Sequence, residues 1–185
     1  MGEQHKKHSR REHLNDFHLN VAGEYVYDGA LYACQNDDAK QRRIKRAVWG
    51  MAAILIVAVI AGGCIPAPGM QNCFYVLLPY LGEFLGAVSV IWALAKLGMD
   101  WGTVREYNYK KSVAVLPVRT AVTAVFSLLG IVCELIFFFV NDHAGQTFFA
   151  LLYVLLKLIA LLSVLVLRAE IMQAEWDKLP KKNNS

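Results

Sequence analysis

Three ionisable residues stand where a water-soluble chain would not put them, each inside a long apolar run: Glu83, Glu134 and Lys157. Ten residues separate Glu83 from Cys73, and ten separate Lys157 from Thr147, so at ~1.5 Å per residue both fall about 15 Å along their runs. Glu134 precedes Val140 by six residues, which places it about 9 Å from that end. A charge at the centre of a bilayer costs at least ~2.5–3.5 kcal/mol, so each of the three must turn inward and find a partner. Two readings follow. In the first, the three form a polar cluster that binds a proton, an ion or a charged substrate. In the second, Glu83 and Lys157 are a buried ion pair that fixes helix packing, with Glu134 joining it or protonated.

Two cysteines offer a second chemistry. Cys64 and Cys73 bracket a short loop stiffened by Pro66 and Pro68, close enough in sequence for a disulfide. The Cys-x-x-Cys pair of membrane thiol oxidoreductases is absent, which weakens a redox reading. Cys133 reads as a small core residue and Cys34 as a reduced thiol. His5, His8, His13 and His18 crowd the first 18 positions. No Cys or carboxylate spacing completes a metal site around them, so they read as a solvated tail, and no metal or cofactor is expected. His143 reads as a solvated loop residue.

The elements that must carry these residues are four apolar stretches, over 47–65, 73–97, 118–140 and 147–167. Of the 185 residues 56% are hydrophobic and 18% charged, too apolar for a soluble domain of this size. Each stretch is continuous and near the ~20 residues that a helix needs to cross a hydrocarbon core, so the expected fold is an all-α four-transmembrane-helix bundle over 47–168. The small-residue face Gly82 and Gly86 would let two helices approach closely, with Ala58 and Gly62 a weaker pair; a homodimer face is the alternative use.

Orientation follows from charge. Nine of the 19 Lys and Arg precede the first stretch, five lie at or between the second and third, and four follow the fourth. The loops 66–72 and 141–146 carry none. The positive-inside rule then places both termini in the cytoplasm, an N-in/C-in arrangement, in what reads as a bacterial cytoplasmic membrane. The 46 residues before the first stretch are far longer than the leader of a cleavable signal.

The arm 1–46 divides into a basic, His-rich start expected to be disordered, a short hairpin over 24–32 turning at Asp28-Gly29, and a basic collar over 40–46 that would attract anionic lipid headgroups. The tail 169–185 should begin as an amphipathic continuation of the fourth helix as far as Pro180. No nucleic-acid-binding module, catalytic triad, metalloprotease motif or phosphate loop is present. The composition therefore points to a small non-enzymatic accessory or interaction subunit, with a membrane-protein partner or a homo-oligomer as its assembly. A small transporter or channel component using Glu83, Glu134 and Lys157 is the alternative, and a thiol-redox protein using Cys64 and Cys73 the third.

Overall fold

The computed structural model describes residues 17–19, 25–27, 29–98, 101–141 and 147–179, the first two segments as backbone. Four long helices form its body: α1 (Asp38–Cys64), α3 (Phe74–Leu97), α5 (Leu116–Val140) and α6 (Thr147–Met172). Two short helices, α2 (Pro68–Asn72) and α4 (Glu106–Lys111), lie in the connections. All four long helices are long and apolar enough to cross a membrane.

Local chemistry sets their ends. Helix α1 opens with Asp38 in its first turn, where a carboxylate meets the positive end of the helix dipole. It stops at Cys64 because Ile65 precedes Pro66 and is held in extended backbone. At 27 residues it is about 40 Å long, so the basic collar is a helical extension of the first span, about two turns outside a ~30 Å hydrocarbon layer. Helices α2 and α5 both carry a proline in their first turn, at Pro68 and Pro117, where the missing N–H is not needed. Helix α3 ends on Gly98, whose φ of 73° suits a residue without Cβ.

Around the bundle α1 packs on α6, α6 on α5 and α5 on α3, with α3 touching α1 more lightly. Every neighbour is antiparallel, as short connections require. Large apolar side chains such as Val57, Leu85, Leu162 and Phe139 are exposed on the outside. An aqueous protein does not leave such a belt open, whereas a lipid-facing one does.

One end of the bundle carries a cap. Strand β3 (Leu31–Cys34) lies between β4 (Thr103–Arg105) and β5 (Trp176–Lys178), antiparallel to both. Tyr32 is opposite Val104 on one side and Lys178 on the other. The arm, the connection between α3 and α5, and the tail are therefore knitted into one sheet. Trp101 and Val104 join Ile44, Leu94, Leu116 and Ile171 in the apolar core beneath it, so the sheet sits on the helix ends.

Two expectations fail here. The hairpin over 24–32 does not form: strand β2 (Tyr25–Tyr27) pairs with β1 (Phe17–Leu19), and Leu31–Cys34 is taken by β4 and β5. Asp28 itself lies outside the described residues. The helical continuation to Pro180 also fails, because α6 ends at Met172 and the chain turns into β5. In both cases pairing across the cap outcompetes the local signal. The start 1–16 and His143 lie outside the described residues.

Candidate functional site

The polar centre of the bundle is built on α5, whose Thr120, Thr123, Ser127 and Glu134 recur at helical spacing along one buried face. Thr120 and Thr123 donate back to carbonyls of their own helix, at 2.9 Å to Leu116 and 2.8 Å to Arg119. Ser127 instead reaches across, donating to Oε1 of Glu83 at 2.7 Å. The other oxygen of Glu83, Oε2, accepts from Nζ of Lys157 in an ion pair joining α3 to α6. Glu83 is 0% exposed and Lys157 2%, so neither charge meets water.

The lysine is enclosed on every side. Its Nζ lies 4.6 Å from the ring centre of Tyr80 and 5.2 Å from that of Tyr153, close enough for cation–π attraction. Three glycines line this enclosure. A Cβ on Gly130 would stand 3.6 Å from Cε and Nζ of Lys157, in contact with the whole end of the side chain. A Cβ on Gly63 would lie 2.8 Å from Cζ of Tyr80, and one on Gly62 3.9 Å from the Tyr153 ring. Tyr80 is anchored by donating to the Val59 carbonyl at 3.3 Å. Gly63 thus admits the Tyr80 ring, while Gly62 lies at ordinary contact distance from that of Tyr153.

Glu134 does not join them. It is fully buried, and neither carboxylate oxygen has a hydrogen-bond partner among the described residues. Its cover is the backbone of Gly69 in α2: a Cβ on that glycine would be 2.9 Å from Cδ of Glu134 and 3.2 Å from Oε1. Ala67, Pro68 and Gly69 are all buried, so the connection between α1 and α3 folds into the mouth of the bundle opposite the cap. A recess of about 20 Å³ between α5 and α6, bounded by Glu134, Leu135, Phe138 and Ala150, lies beside the carboxyl.

The remaining sequence candidates fall as follows. Cys64 is exposed and Cys73 half-buried, and the structure does not join them in a disulfide. Helix α2 occupies the connection between them, and Cys73 serves as the residue before α3. Gly82 and Gly86 face α5 within the same chain: a Cβ would meet the Phe126 ring at 2.5 Å and the backbone of Thr123 at 3.3 Å, respectively. At the capped end Arg119 donates to the Ser89 carbonyl at 2.6 Å and Arg168 to that of Pro117, tying α3, α5 and α6 together. Arg42, Lys45, Arg46 and Trp49 share one face of α1 and border a recess of about 440 Å³.

Sequence reasoning missed two participants, Ser127 and the tyrosine pair. A serine in helical register with Glu134, and tyrosines three before Glu83 and four before Lys157, were the available signals.

No protein-family model, curated protein or solved structure matches the chain. The class rests on its own architecture: a mostly helical protein, four of whose helices are long and apolar enough to cross a membrane, closed at one end by a small sheet.

Proposed function

We propose that the chain is an integral membrane protein of the bacterial cytoplasmic membrane, with the capped end and both termini inside, acting as a non-enzymatic accessory or interaction subunit. The observation that carries this reading is the enclosure of Glu83 and Lys157. A transport site must admit and release its cargo, whereas these two groups meet each other, Ser127 and two tyrosine rings and are shut off from water. Their role is to select which helices pack, a use of buried polar groups in which registry outweighs net stability. The positive-inside asymmetry supports the orientation. The basic face of Arg42, Lys45 and Arg46 supports contact with anionic headgroups on the inner leaflet, and Trp49 suits the interface. The arm before the cap supplies the docking element for a membrane-protein partner.

The test is gentle extraction of the full chain and of a variant lacking residues 1–28, which leaves every strand of the three-stranded cap sheet. A partner held in fixed stoichiometry by the full chain and lost from the variant supports the reading. Proton or ion flux in proteoliposomes, abolished by Glu83→Gln in a folded protein, overturns it in favour of transport. Reporter fusions to the loops 66–72 and 141–146 that are active only in the cytoplasm overturn the orientation.

A further inference from the structure

The cytoplasmic half of α1 carries an arrangement that an orientation signal alone does not require. Arg42, Lys45, Arg46 and Trp49 recur at i, i+3, i+4 and i+7 and so stand on one face of the helix. The recess they border, of about 440 Å³, is in the size range of a small-molecule site. Its walls are carbon, the aliphatic stems of the three basic side chains and the Trp49 ring, which leaves the charged heads at its rim. The indole N–H of Trp49 is buried, so the ring turns carbon toward the recess. Arg42 and Arg46 are exposed, and neither makes an ion pair among the described residues, not even with Asp38 one turn before Arg42. Nε of Arg46 donates to the Arg42 carbonyl at 3.4 Å, which folds that side chain back along the face. The same register runs on into the apolar span. Ala53, Ile56 and Ile60 follow Trp49 by four, seven and eleven residues, the first and last exposed and the middle one half-buried. At ~1.5 Å per residue, Trp49 to Ile60 covers about 16 Å, the depth of one leaflet.

We infer that this face of α1 is a binding site for one anionic phospholipid of the inner leaflet, its phosphate among Arg42, Lys45 and Arg46, its glycerol in the recess against Trp49, and an acyl chain along Ala53, Ile56 and Ile60. Charge, then an aromatic ring, then an open aliphatic strip follow one another along a single face, which is the order of parts in a phospholipid. A free phosphate would use the charged heads alone and leave the carbon walls and the strip wet. The inference rests on the membrane placement proposed above and turns its headgroup contact into a stoichiometric site. Lys40 and Arg43 set the contrast: they are exposed cations of the same collar, on other sides of α1, and border no part of the recess. Diffuse attraction to an anionic surface counts all five cations alike. A built site counts those on its own face.

The test is native mass spectrometry of the full chain in detergent, titrated with phosphatidylglycerol and, separately, with phosphatidylcholine, with soluble glycerol 3-phosphate as a competitor. One equivalent of phosphatidylglycerol should be held about tenfold more tightly than phosphatidylcholine. The double variant Arg42→Gln/Arg46→Gln should lose that preference, whereas Lys40→Gln/Arg43→Gln removes the same charge and should keep it. Glycerol 3-phosphate in large excess should leave the lipid bound. Equal losses in the two double variants overturn the site in favour of diffuse attraction. Displacement by glycerol 3-phosphate overturns the lipid in favour of a free phosphate, and equal retention of phosphatidylcholine overturns the anionic headgroup; both of these arms use the unaltered chain and depend on no variant folding. Because binding is read on purified protein without a partner, failure here and failure of the accessory reading are separately visible.

Discussion

Lys157 on the fourth long helix and Glu83 on the second meet in a pair that touches no solvent, with Ser127 of the third holding the other carboxylate oxygen. Three helices are thereby keyed at one level. Breaking such a pair leaves an uncompensated buried charge and costs about 3–5 kcal/mol, whereas replacing both members by groups of similar shape is close to neutral. Glu83→Gln and Lys157→Met should each lower the unfolding free energy in detergent by an amount in that range. The double variant should recover most of the loss. Two losses that simply add would show that the pair is not the source of either.

The glycines of α3 give a second, steric prediction. A methyl group at Gly86 would press on the backbone of Thr123 at 3.3 Å, and backbone cannot swing aside. At Gly82 the obstacle is the ring of Phe126, whose Cδ1, Cε1 and Cγ would all stand within 2.8 Å, so the whole ring must shift. At Gly50 nothing lies within 4 Å. Gly86→Ala and Gly82→Ala should therefore each destabilise by about 1–3 kcal/mol, and Gly50→Ala not at all. Because these contacts lie within one chain, the mass of the particle in light scattering should be the same for all three. A change of mass in Gly86→Ala would instead place the small-residue face at an interface between copies.

How far the sequence announces this arrangement depends on the range of each interaction. The long helices are legible because hydropathy is a property of continuous runs, and the equal depth of Glu83 and Lys157 follows from helix rise alone. The same arithmetic set Glu134 about one turn nearer the far end, and in the structure it makes no hydrogen bond to the pair. What the sequence conceals is pairing at a distance. Strands of three or four residues carry no useful alternation, and Leu31–Cys34 finds its partners at Thr103–Arg105 and Trp176–Lys178. The Asp28-Gly29 signal is local and was outcompeted. The inward fold of 67–69 is hidden for a related reason: a Pro- and Gly-rich connection reads as a surface loop until a buried side chain such as Glu134 is seen beneath it.

Asn36 clamps the tail to the arm. Its side chain donates to the Gln173 carbonyl at 3.2 Å and accepts from the Glu175 N–H at 2.9 Å, just where α6 gives way to β5. Each neutral hydrogen bond contributes about 0.5–1.5 kcal/mol. Asn36→Ala should speed amide hydrogen exchange in 173–179 several-fold while leaving exchange in the long helices unchanged. Equal exchange in both proteins would mean that the strand pairing of β3 with β5 holds the tail unaided.

Tyr109 is the aromatic hub of the cap. It stacks on Tyr32 with ring centroids 4.0 Å apart and planes within 3°, and meets the edge of Trp176 at 6.1 Å. One ring from α4 thus bridges the central strand and the tail strand. Aromatic pairs contribute about 0.5–1.5 kcal/mol each beyond the area they bury, so losing both should raise local opening of the cap by on the order of tenfold. The cap is small and its strands are short, which confines the effect to it. Trypsin should therefore cut after Lys178 much faster in Tyr109→Ala than in the wild type, with the thermal midpoint of the helical bundle little changed. Tyr109→Phe keeps both ring contacts and should behave as the wild type does. If Tyr109→Ala is clipped no faster, backbone pairing alone holds the sheet; if the bundle midpoint falls with it, the cap and the long helices unfold as one cooperative unit.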